Sequence, residues 1–115
     1  MRLENLYLLD IIEAADAIQR FCEPVDEREF LNDELRQSAV LQKLIVIGEA
    51  AAHLSNQFRK EHKEIEWEDI VGFRNIAVHQ YFAVIWKMVW DTAKHDVPDL
   101  RLKVSQLLDE WYPEE

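Results

Sequence analysis

The chain holds 115 residues, 49% of them apolar, with 23 acidic against 13 basic side chains and a net charge of −10. That length suits a single domain over residues 1–115, and no stretch approaches the ~18 uninterrupted apolar residues of a membrane span. The charge argues against a broad polyanion-binding face, and the lone Cys22 excludes an intramolecular disulfide and the common cysteine-rich zinc sites.

Two glycines and three prolines leave room for few turns, so long regular elements are expected. The start, Met1-Arg2-Leu3-Glu4-Asn5, carries acid early and shows no signal-peptide cleavage site. With the unpaired cysteine, this points to the cytoplasm. A first helix is predicted from Leu3 to Phe21 on an apolar face that includes Tyr7, Ile11, Ala14 and Ile18, and Pro24 ends it. Cys22 closes that pattern and reads as a small buried residue, not a nucleophile. A short element near Glu27 to Leu31 leads into a long helix that Asn32 or Asp33 can cap. The seam of that helix, Leu41, Leu44, Gly48, Ala51, Ser55 and Phe58, alternates steps of three and four residues. Such a seam faces a neighbouring helix, and Gly48 and Ala51 are small enough to let it come close.

Residues 59–66 read as a charged connection in which Arg59, Lys60, His62 and Lys63 gather. Trp67, Ile70, Phe73 or Arg74, Ala77 and Tyr81 mark a third helix, and Trp86, Val89, Trp90 and Ala93 a short fourth. Asp96 is placed to cap the last helix, with Pro98 in its first turn and Asp99 against the positive end of its dipole. Its stripe is Val97, Leu100, Val104, Leu107 and Trp111. Strand alternation, repeats and low-complexity tracts are absent from the sequence. The expected fold is therefore all-α, an up-and-down bundle of about four to five helices.

Several catalytic constellations lack support. Gly48 and Gly72 stand alone and open no phosphate loop. Glu49 with His53, and Asp91 with His95, are spaced i,i+4, but a bundle di-metal site needs two Glu-x-x-His elements with facing glutamates, so both pairs read as intrahelical charge pairs. No serine sits in a nucleophile elbow. Neither a metal nor a cofactor is expected.

The run Arg74-Asn75-Ile76-Ala77-Val78-His79-Gln80-Tyr81 stands apart. Arginine clamps phosphate bidentately and histidine moves protons near neutral pH. Together they offer the acid–base group and the cation that metal-free phosphodiester cleavage needs. On an unbroken helix, residues five apart differ by ~140° and ~7.5 Å of rise, so Arg74 and His79 do not share a face, whereas Asn75 and His79 do, and Arg74 and Tyr81 do. Three arrangements reunite the pair: a helix that loosens near His79, an Arg74 side chain wrapped across the groove, or a symmetric dimer that brings two copies to one cleft. A purely structural reading stands beside these, with Asn75 bonded to His79, Arg74 paired with Glu49 or Asp69, and Tyr81 capping the core.

The run Ile47-Gly48-Glu49-Ala50, followed by Trp67-Glu68-Asp69-Ile70-Val71-Gly72-Phe73 and the Arg74 to Phe82 segment, resembles the HepT-like branch of the HEPN superfamily. The likeness extends to Trp90 and the ending Asp96-Val97-Pro98-Asp99-Leu100, and so covers nearly the whole chain. It implies a dimeric helical protein with the motif in a cleft between subunits, acting as a metal-independent endoribonuclease toxin. It also implies a minimal nucleotidyltransferase antitoxin that adds AMP to the motif tyrosine. Carried over, Arg74 and His79 are the catalytic pair, Asn75 supports them, and Tyr81 is the modification site. The chain departs from the family at Ile85, where an acidic residue often precedes the Trp-rich helix; an Asp there would cap that helix. Two other classes remain open: a non-catalytic adaptor that positions a nucleotidyltransferase, and a bare dimerisation module.

Overall fold

The computed structural model describes residues 3–111, which leaves the start at Met1 and Arg2 outside. The described residues are helical with no strand. Helix α1, Glu4–Cys22, buries Leu8, Ile11, Ala14, Ala15, Ile18 and Cys22 along one stripe, with Glu4 in its first turn and Arg20 in its last, both favourable to its dipole. Burial pushes the Cys22 thiol pKa up, as befits an inert core residue.

Helix α2, Glu27–Leu31, is held by a reciprocal capping box: Glu29 donates its backbone N–H to the Asp26 carboxylate at 2.8 Å, and Asp26 donates its own to Glu29 at 3.1 Å. Its Phe30 is fully buried against Trp90, the ring centroids 5.2 Å apart. Asn32 closes α2, so of the two candidates it is Asp33 that caps α3, Glu34–His53, accepting the Arg36 N–H at 3.0 Å. The Arg36 guanidinium reaches on to the Phe21 carbonyl at 2.7 Å, tying the start of α3 to the end of α1. Buried Gln37 is satisfied by the Phe30 carbonyl at 3.0 Å.

The long seam does not continue through Ser55 and Phe58 on one helix. Helix α3 ends at His53, the chain extends at Leu54, and Ser55 caps a new helix α4, Asn56–Glu61, by accepting the Phe58 N–H at 3.0 Å. Residues 59–61 of the charged connection are correspondingly helical. Helix α5, Trp67–His79, follows, then a single 3-10 turn, Tyr81–Ala83.

The fourth and last helices also differ from expectation. Helix α6, Trp86–Asp91, runs through a π-helical segment, Thr92–Asp96, into α7, Val97–Trp111, so Asp96 lies inside a continuous helical rod and caps nothing. Pro98 cannot donate to the i−4 carbonyl, and the register change beside it absorbs that missing donor. The α7 stripe holds at Val97, Val104 and Leu107, while Trp111 stays half exposed with its ring edge-on to His62.

Helix α1 packs on α3 and α7, α3 on α5, and α2 and α6 on one another, giving an all-α bundle. No helix among the described residues is long and apolar enough to cross a membrane.

Candidate active site

Helix α5 is anchored at its start. Trp67 is buried, and its indole N–H donates to the His62 carbonyl at 3.0 Å. Midway, α5 crosses α3 at Gly48. A Cβ at that position would overlap the Cβ of Arg74 and stand 2.8 Å from its Cγ and 3.3 Å from the Ile70 carbonyl oxygen. Glycine is required here for close approach, and the space it leaves is filled by the Arg74 stem.

The end of that side chain is held in turn. Arg74 Nη1 lies 2.9 Å from Glu49 Oε1, on the residue after the glycine. The Arg74 side chain is 19% exposed and that of Glu49 46%, so the guanidinium is braced against the bundle yet open along one edge. Its Nε is buried and makes no hydrogen bond among the described residues. Of the two partners weighed for Arg74, Glu49 is the one found.

His79 is the last residue of α5 and is exposed, as is Asn75 one turn earlier. The helix is unbroken from Trp67 to His79, so Arg74 points toward α3 while Asn75 and His79 share the outer face. No hydrogen bond joins Asn75 to His79, or Arg74 to His79, among the described residues. The helix does not reach Tyr81: Gln80 leaves it at φ −135° and ψ 52°, its N–H still bonded to Ile76 O at 2.8 Å. Tyr81 therefore does not share a helical face with Arg74. It starts the 3-10 turn, is 49% exposed, and lies edge-on to Phe82 and Trp86, with centroids 6.0 and 6.3 Å away. It does not cap the core. Ile85 occupies the cap position of α6, is exposed, and makes no side-chain cap.

Sequence reasoning missed how much apolar surface surrounds this site. Ile76, Val78, Phe82, Ile85 and Met88 are all exposed, Phe82 fully; their only signal was position, since helical periodicity assigned Ile76 and Val78 no face. Of the other histidines, His95 is exposed in the π-helical segment, while His53 Nδ1 lies 2.7 Å from the Glu49 carbonyl and its ring stacks on Tyr7. His62 is buried against Phe58 and Trp111.

A guanidinium braced at a glycine crossing, an exposed imidazole at the end of the same helix and an exposed phenol in the turn that follows thus lie along one stretch of chain, with no hydrogen bond joining them among the described residues. The sequence profile described as "Ribonuclease HepT-like" matches residues 11–107, which include the crossing and the whole motif. The chain belongs to the HepT-like ribonuclease family. Among curated relatives, the "Probable ribonuclease HepT" of Thermococcus cleftensis is 38% identical over 88% of this chain and 92% of its own. A Methanocaldococcus jannaschii protein named "Putative RNase" is 36% identical over 86% of this chain and 91% of its own. Another from the same organism, named likewise, is 32% identical over 89% and 88%. No solved structure matches this HepT-like chain significantly.

Proposed function

We propose that this HepT-like protein is a metal-independent endoribonuclease, the toxin of a cytoplasmic toxin–antitoxin pair, with Arg74 and His79 as its catalytic pair. The observation that carries the reading is the exposed His79 imidazole at the end of the helix that holds Arg74, inside the region matched to the ribonuclease family. His79 takes the proton from a ribose 2′-OH, and the 2′-oxygen attacks phosphorus. The bond to the 5′-oxygen breaks, leaving a cyclic phosphate and a 5′-oxygen that takes up a proton. Arg74 turns from Glu49 to the phosphate and stabilises the charge that develops there. Asn75, on the His79 face, steadies the ring or the phosphate.

The exposed Ile76, Val78, Phe82, Ile85 and Met88 around His79 support a homodimer, since a second copy would remove them from water. In a two-fold cleft one His79 serves as base and the other as acid. The antitoxin is a minimal nucleotidyltransferase: the Tyr81 phenol oxygen attacks the α-phosphorus of ATP, diphosphate leaves, and the added AMP repels RNA by bulk and charge.

The test is RNA cleavage by purified protein in EDTA. Arg74→Ala and His79→Ala should each lower the rate by about 10²–10⁴-fold. His79→Ala should shift stability by under ~0.5 kcal/mol, as for an exposed side chain without a partner. Cleavage that survives both changes overturns the assignment. A second reading, a non-catalytic adaptor for a nucleotidyltransferase, draws on the net charge of −10 and the carboxylate already on Arg74. It predicts no cleavage by the unmodified wild-type protein and undiminished partner binding by both variants.

A further inference from the structure

Between α5 and the junction of the π-helical segment with α7 lies a groove of about 420 Å³, within the ~300–1,000 Å³ typical of ligand clefts. Its floor is apolar, with Leu44 from α3, Ile70 and Phe73 from α5, and Leu100 from α7. Its rim carries four carboxylates, Glu66, Asp69, Asp96 and Asp99. Lys103 is the one cation among the described lining residues, and it is already held by Asp99 at 3.1 Å and the Glu64 carbonyl at 3.2 Å.

Folding crowds these like charges. A hydrogen bond that the protonated Glu66 carboxyl donates to Asp69, reinforced by the negative charge of Asp69 and of Asp96, raises Glu66 above its ordinary 4.5. The wall is also irregular: Thr92 and Asp96 belong to the π-helical segment, a distortion that recurs at functional sites. An apolar floor under a negative rim repels RNA, and it repels a second copy of a chain whose net charge is −10.

We propose that this groove docks a cationic amphipathic helix of a partner protein. Apolar side chains of that helix seat on Ile70, Phe73 and Leu100 while its Lys or Arg residues meet Asp69, Asp96 and Asp99. Docking requires neither Arg74 nor His79 to be catalytic. A helix seated there does lie against α5 one residue from Arg74, so partner binding and the Arg74 site share one element.

The experiment is an amide-resolved NMR titration of the full chain with a synthetic helical peptide of about 14 residues, Leu on one face and Lys on the other. A peptide of the same composition with that face scrambled runs beside it. The expected result is shifts confined to the groove, with the scrambled peptide at least about tenfold weaker. The Asp69→Asn, Asp96→Asn, Asp99→Asn triple variant, checked for a native spectrum, should bind the helical peptide at least about tenfold more weakly. Equal binding of the scrambled peptide, shifts spread across the acidic surface, an indifferent triple variant or no binding at all would each overturn the proposal. Groove shifts that grow with protein concentration alone would assign the surface to a second copy and overturn it equally.

Discussion

Replacing Gly48 by alanine strikes the crossing on which the Arg74 site is built. The new Cβ would overlap the Arg74 Cβ, which the α5 backbone fixes, so no change of rotamer clears it. The Ile70 carbonyl oxygen, 3.3 Å away, blocks a compensating slide toward α5. The two helices must therefore move apart. Overpacking of this kind costs about 1–3 kcal/mol, and alanine returns at most ~1 kcal/mol of helix propensity. We expect a net loss of about 1–2 kcal/mol; with an unfolding entropy of roughly 2.1 cal/mol/K per residue, that lowers Tm by about 4–8 °C. The internal control is Gly72→Ala, because nothing lies within 4 Å of a Cβ built there. That variant should gain up to ~1 kcal/mol and melt a few degrees higher. Thermal and urea denaturation followed by circular dichroism reads both. A Gly48→Ala protein as stable as wild type would refute the close-crossing argument.

Glu49→Gln keeps an acceptor for Arg74 but removes the charge. Because the pair is partly exposed, stability should change by less than ~1 kcal/mol, while under the proposed role of Arg74 RNA affinity should rise as its guanidinium becomes freer to take a phosphate. Filter binding that shows no gain would mean that Glu49 does not restrain Arg74. Asp33 sets a pH dependence: the Arg36 backbone N–H, helped by the Arg36 side chain, holds its carboxyl below the ordinary 3.8. A folded-state value below the unfolded one gives stability that is present above 3.8 and lost as pH falls through the folded value. Asp33→Asn retains the cap without the titration, so denaturation curves in acid should fall less steeply for the variant. Identical acid limbs would exclude this cap as a contributor.

What could be read without coordinates was whatever local chemistry decides. The α1 stripe, the Asp33 cap, buried Cys22 and the close approach at Gly48 all rest on residue type and spacing. The boundaries that failed lacked a local marker. Ser55 and Phe58 keep the three–four rhythm across the break at Leu54, and Phe58 is still buried, so periodicity alone could not see that α3 had ended. At Gln80 no glycine or proline announces the end of α5. Asp96-Val97-Pro98 looks like a helix start, and only the π register explains how the rod runs through it. Arg74, Asn75, His79 and Tyr81 could be named as candidates from their motif, but not how they are placed relative to one another. The Arg74–Glu49 pairing is a tertiary contact, and spacing could not choose between Glu49 and Asp69.

The turn Tyr81–Ala83 has a consequence for how the nucleotidyltransferase proposed above would reach the phenol. Its backbone is closed by Ala83 N–H to Gln80 O at 2.8 Å and Val84 N–H to Tyr81 O at 3.1 Å, and no side chain caps it. All three of its residues are exposed, so straightening it breaks two short hydrogen bonds and uncovers no core. The free energy of such local opening sits far below that of global unfolding. On the proposed function, Tyr81 would therefore be drawn out as an extended peptide into the partner's catalytic cleft while α1, α3, α5 and α7 stay packed, and would re-coil afterwards without a refolding step.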